Sequence, residues 1–248
     1  MTTTTSPDLV AEHYEPLVAA AREAFFASET VRLLSDPTTD ADLLDQFLIH
    51  YCALGTQMTR PVDGWIRRAG AACIERGHVE LGEALQRHAD HEAGHDQMMV
   101  VDTHTLVERW NGANPSRPLD AEALLSMPAT PGVADYVDLH EDVIVSPEPF
   151  AQLAIEYEIE LLSVTAGPML IGNVGAVCGP DRVQGLTFLN DHIAIDEGHT
   201  VFNRRQLNTF LAAQPAAVGT LGIAGVGALE AFRSFLDDCV VAARAVLA

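Results

Sequence analysis

The sequence predicts an all-helical protein, with residues 1–248 read as a single domain. Three observations carry that prediction. Apolar residues recur at spacings of three and four along most of the chain, and almost no run alternates apolar with polar residues as a half-buried strand would. With 48% apolar and 20% charged residues over 248 positions, one sizeable core can be filled, and no shift in composition marks a second domain or a disordered tail.

The elements follow in order. Asp8 to Leu34 reads as a long helix or a broken pair, ended by Ser35-Asp36-Pro37, where proline excludes further helix. Thr38 or Thr39 then caps a helix over Asp40–Thr59, and Arg60-Pro61 breaks it before a helix from Val62 to Glu75. Gly77 separates that helix from a long one expected over His78–Trp110. The run Asn111 to Pro118, rich in Asn, Gly and Pro, is the clearest loop. Shorter helices are expected over Asp120–Ser126 and Pro131–Val145, and a longer one over Pro149–Leu170, closed by the glycines between Gly172 and Pro180. Asp181–Leu211 and a final helix opened by Pro215 complete the chain.

The net charge of -21 disfavours phosphate backbones and anionic lipid, so nucleic acid and membranes are not expected partners. The apolar stretch Val218–Leu229 reads as too short to span a bilayer, and its Gly and Ala residues suit close helix packing. Cys52, Cys73, Cys178 and Cys239 are scattered without a Cys-x2-Cys pair and read as reduced thiols. The start, Met1 to Pro7, has neither a basic nor an apolar leader segment, and a cytoplasmic location is expected.

Two segments spell one phrase. His88-x3-Glu92-x2-His95 and His192-x3-Asp196-x2-His199 both read His-x3-[Asp/Glu]-x2-His. On a helix, positions i, i+4 and i+7 share a face, so each segment presents two imidazoles and a carboxylate as one stripe. That donor set suits iron, manganese or zinc, and two facing stripes can supply two ions. Glu92-x2-His95 is the tightest unit of the first stripe. His88 extends it by one turn with its role left open, while His91 and Asp96 are offset from the seam. In the second stripe, His192, Asp196 and His199 point together, Glu197 points away, and Asn203 and Gln206 continue the phase.

A third contribution is expected from the helix between the stripes, where Glu156, Glu158 and Glu160 compete. Glu156 and Glu160 share a face read as solvated, whereas Glu158 stands among Ala151, Ala154, Ile155, Leu161 and Leu162. A carboxylate on an apolar stripe is costly unless it is paired or bound to a cation, so Glu158 is favoured. The expected ligand set is Glu92, His95, Glu158, His192, Asp196 and His199.

The order of Glu92-x2-His95, a lone Glu158, and His192-x3-Asp196-x2-His199 resembles that of the haem-oxygenase-like di-iron oxidases and oxygenases. The resemblance implies a haem-oxygenase-like bundle of about seven core helices. It implies two ferrous ions per chain held by those six residues, with dioxygen as co-substrate. The implied activity is oxidation of a small amine or amino-acid-like molecule in a biosynthetic pathway, N-oxygenation above all. Oxidative decarboxylation, C–C cleavage and desaturation are the nearest alternatives. The resemblance also leaves room for an external electron donor and a homodimer. Three other readings compete: a thiaminase-like enzyme using Cys178, a ferritin-like iron store or sensor, and a haem oxygenase with His13 as the proximal ligand.

Overall fold

The computed structural model describes residues 8–248, and among them every regular element is a helix. A π-helical turn, Val10–Tyr14, leads into α1 (Glu15–Phe26), and Ser28 caps α2 (Glu29–Ser35) by accepting a hydrogen bond from the Val31 amide. The first expected segment is therefore a broken one. Asp40 caps α3 (Ala41–Thr59) through the Leu43 amide, in place of the expected Thr38 or Thr39. Thr39 instead donates to the Leu33 carbonyl, 2.6 Å away.

Next come α4 (Val62–Glu75) and α5 (Val79–Glu92), which pack against each other at unusually short range. A Cβ placed on Gly70 would lie 2.8 Å from the carbonyl oxygen of Gly82, so side-chain-free positions are needed for this contact. The continuous helix expected over His78–Trp110 is interrupted. α5 ends at Glu92, Gly94 adopts φ +86°, and α6 (Asp96–Ala113) begins after His95. A left-handed residue cannot continue an α-helix, which is why the periodicity on both sides failed to show the break.

α7 (Ala121–Leu125) and α8 (Pro131–Val145) follow the predicted loop. A short 3-10 turn at Pro149–Ala151 opens α9 (Gln152–Val177), which runs through Pro168 and the glycines expected to stop it. The brief α10 (Pro180–Val183) precedes α11 (Thr187–Ala213), and a turn at Pro215–Ala217 starts α12 (Val218–Leu247).

The largest packing interfaces pair α4 with α5, α9 with α11, α8 with α12, and α3 with both α6 and α12. One connected cluster of buried apolar side chains runs through them. Two contacts set the register of the helices that matter for function. Buried Asp102 of α6 accepts from the Thr187 amide (3.0 Å), the Thr187 hydroxyl (2.7 Å) and the Phe188 amide (2.9 Å), capping α11 from a neighbouring helix. Asn173 of α9 donates to the carbonyl of Leu34 (2.8 Å) and of Asp36 (3.1 Å), tying down the end of α2.

Two helical segments, Pro149–Val177 and Pro215–Leu247, are long and apolar enough to cross a membrane by length and composition. The reading of Val218–Leu229 as too short is thus overtaken, because that stretch continues as α12 to Leu247. Both segments pack against several helices of the bundle, and the first carries three buried glutamates.

Candidate metal centre

Four helices contribute polar side chains to one buried cluster. The C-terminal turn of α5 supplies His88 and Glu92, the start of α6 supplies His95, the middle of α9 supplies Glu160, and α11 supplies His192, Asp196 and His199. The ligand atoms of His88, Glu92, Glu160 and His199 all lie within 4.8 Å of one another, and so do those of Glu92, His95 and His192. Glu92 belongs to both groups. Its Oε1 lies 3.2 Å from His199 Nδ1 and 4.0 Å from His88 Nε2, while its Oε2 lies 3.1 Å from His95 Nδ1. The two carboxylate oxygens thus face different imidazole sets, so Glu92 would be shared if both groups held a cation.

The orientation of the rings fits the same use. His192 Nδ1 sits 2.8 Å from the Phe188 carbonyl, so this nitrogen donates its proton to the backbone. Its Nε2 then carries a lone pair that faces the cluster and accepts from His95 Nδ1 at 3.1 Å. His88 Nε2 approaches Glu160 Oε1 at 2.9 Å, yet neither atom makes a hydrogen bond of acceptable geometry, and His199 Nδ1 is also without one. Buried polar atoms rarely go unsatisfied, and here they crowd one point without aligning on each other. Asn203, which continues the phase of the second stripe, donates to Glu160 Oε2 at 2.6 Å and fixes that carboxylate. Asp196 Oδ1 is 3.2 Å from His199 Nδ1.

Charge is balanced by protons in the ion-free protein. Burial alone would depress the His88 imidazolium, but the carboxylates of Glu160, Glu156 and Glu92 outweigh it and leave its pKa raised. Burial likewise opposes protonation of His199, yet the carboxylates of Asp196 and Glu92, each 3.2 Å from Nδ1, push the pKa up to about 10. Glu92, despite a burial effect in the other direction, is held well below the carboxylate range by His199 and His95. Protonated imidazoles therefore occupy the electrostatic role that a divalent cation can take over. Imidazole and carboxylate donors in this mixture fit iron, manganese or zinc.

Glu158 departs from the sequence expectation. Its carboxylate accepts from Arg22 at 2.8 and 2.7 Å and from the Tyr14 hydroxyl at 2.8 Å, outside both ligand groups. The premise held, since Glu158 is fully buried and paired with a cation, but the cation is the guanidinium of α1. Glu160 takes the place expected of Glu158. Glu156 and Glu160, read as solvated, are each only 6% exposed. Apolar residues surround the whole circumference of α9, so no face of it is marked as solvent-facing. His88 also joins the cluster, a role the stripe had left open. Asp96 is buried and receives Arg60 at 3.3 Å, whereas His91 and Glu197 are exposed.

A cavity of about 170 Å³ adjoins the cluster. Glu92, Glu160, His192 and Asp196 form part of its wall, and most of the remainder is apolar. Its lining contains no Lys or Arg. Glu156 also faces it, with Gln152 donating to Oε1 at 2.5 Å, and burial pushes its carboxyl up to about 8.

No family model and no curated protein sequence matches the chain. Solved structures do. A Shewanella denitrificans domain of unknown function, described as having a heme oxygenase-like fold, superposes with a TM-score of 0.71 at 15% identity, over 91% of this chain and 89% of that one. The chain has a haem-oxygenase-like fold. A TenA homologue from Pseudomonas syringae pv. tomato gives 0.67 at 14% identity, covering 96% and 98% of the two chains. A CADD-like protein of unknown function from Nostoc punctiforme gives 0.60 at 15%, covering 92% and 97%.

Within this fold two competing chemistries lose their residues. Burial raises the Cys178 thiol to about 11 and the Cys73 thiol to about 12, and it lifts Cys52 and Cys239 well above the usual range, so each is a protonated thiol at neutral pH. Cys178 Sγ donates to the Ala41 carbonyl, at 3.7 Å, and is not among the residues that line the cavity. His13 is exposed on the outer surface beside Glu12 and takes no part in lining the cavity, which leaves it unsuited to hold haem there.

Proposed function

We propose that the protein is a dioxygen-activating non-haem di-iron oxidase or oxygenase acting on a small amine. The observation that carries this reading is the pair of ligand groups sharing Glu92. Glu92, His95 and His192 would hold one ferrous ion; His88, Glu92, Glu160 and His199 would hold the other, with Asp196 beside them. The chemistry that bound ferrous ions would supply there is the delivery of paired electrons to dioxygen, which protein side chains alone do not perform.

The rest is done by the chain. The apolar wall excludes water from the reacting end of the cavity. Gln152 holds the Glu156 carboxyl in place, and that carboxyl keeps its proton at neutral pH at an atom facing the cavity, ready to be given up. The lining presents three further carboxylates, of Glu92, Glu160 and Asp196, and neither Lys nor Arg. An ammonium therefore finds counter-charge there, while a substrate anion finds none from a protein side chain.

Anaerobic titration with ferrous ion tests the reading. Two ions per chain are expected, followed by a transient visible absorption band when oxygen is admitted. No binding above one ion per chain, or a Soret band as the sole spectral response on adding haem, would overturn it.

A further inference from the structure

Below the cavity lies a second, outer groove of about 570 Å³. α2 and α12 wall both spaces with opposite faces. Val31 and Leu34 of α2 and Phe232, Phe235 and Leu236 of α12 face the cavity; Thr30, Leu33, Arg233 and Asp237 face the groove. One residue lines both. Phe25, at the end of α1, is 1% exposed and packs its ring 6.4 Å from Phe232 and 5.5 Å from Phe26. A contact between Thr30 of α2 and Asp237 of α12 ties the outer edges of this partition together, and Arg233, one turn earlier on α12, pairs with Asp237 at 3.3 Å. Glu92, Glu160, His192 and Asp196 of the metal cluster line the cavity, and no residue of the cluster lines the groove.

We infer that Phe25 is the floor of the substrate cavity and the residue that sets how long an apolar chain the site accepts. The cavity is polar and acidic at the cluster and aromatic where Phe25, Phe232 and Phe235 meet, so an amphiphile has one orientation in it: amine toward the carboxylates of Glu160 and Asp196, apolar body toward the rings. Each methylene added to such a molecule gains burial until the ring of Phe25 stops it. Removing the ring joins the cavity to the outer groove and lets the chain continue. This inference rests on the amine-oxidising reading of the site for its substrate class, but its geometry needs no metal.

The test is a series of straight-chain primary amines, from butylamine to dodecylamine, titrated calorimetrically into the full-length chain without metal. In the wild-type protein, affinity should rise about fourfold per methylene, equivalent to about 0.8 kcal/mol, and then level off. Phe25→Ala should move the levelling point to longer chains by at least two methylenes, and Leu33→Ala, on the groove side, should leave it unmoved. Phe25→Leu gives the same reading with a smaller shift if the alanine variant does not fold, as judged by its helical circular dichroism. An unchanged levelling point in a folded Phe25 variant, or no levelling in the wild type, overturns the inference. Ferrous stoichiometry measured on the same samples separates the two claims: loss of iron binding bears on the function, and an unmoved levelling point bears on Phe25.

Discussion

Glu158 and Glu160 stand two residues apart on α9, both out of solvent, and they meet opposite environments. Glu158 is answered by a resident cation: Arg22 forks onto both its oxygens and Tyr14 adds a hydroxyl, so both oxygens are hydrogen-bonded by α1 and the turn before it. Glu160 is answered by His88, by His199 at 3.7 Å and by Asn203, within a cluster where several donor atoms lack a well-formed partner. The first arrangement is complete without anything added. The second is complete only with protons or with a metal. Buried charge must be compensated in both cases, and the kind of compensation separates a structural carboxylate from a functional one.

The largest stability effect is expected on the Glu158 side. Arg22→Ala would leave a fully buried carboxylate with only the Tyr14 hydroxyl, and breaking such a pair costs about 3 kcal/mol. Urea unfolding should show that loss while ferrous stoichiometry stays at the wild-type value. A variant that keeps its stability but loses iron would erase the distinction between the two glutamates.

A smaller effect, opposite in sign with and without metal, is expected from pH. In the ion-free protein His199 has its pKa raised to about 10, so the stability it contributes is full below about 6.5 and is lost as pH rises through 10. Glu156, raised to about 8, acts in the same direction: the folded state holds a proton that the unfolded chain releases above its ordinary range near 4.5. Stability of the chelator-treated protein should therefore fall between pH 6 and pH 8. Ferrous binding requires neutral imidazoles, so the stabilisation added by iron should grow over the same interval. Parallel pH slopes in the two samples would contradict the assignment of His88 and His199 as ligands.

Much of this was legible from residues alone. The helix from Val62 to Glu75 and the one from Pro131 to Val145 lie where periodicity and proline placed them. The two stripes meet because His-x3-[Asp/Glu]-x2-His encodes a helical face and a donor set together. What stayed hidden has particular causes. The break at Gly94 is a backbone event inside two helical patterns of similar phase, and it leaves His95 beside Glu92 even though the two residues sit on different helices. The choice of Glu158 failed because α9 is apolar all round, so an apolar neighbourhood could not single out one glutamate. A long-range partner decided it, and Arg22 lies too far away in sequence for helix spacing to reveal.

Glu160 and not Glu158 belongs to the pair of ligand groups that share Glu92. The most direct test of this assignment is anaerobic ferrous stoichiometry of Glu160→Gln and Glu158→Gln, side by side with the wild type. Two ions per chain are expected in the wild type and in Glu158→Gln, and loss of at least one ion in Glu160→Gln with helical content retained. Full stoichiometry in Glu160→Gln together with loss in Glu158→Gln would contradict it.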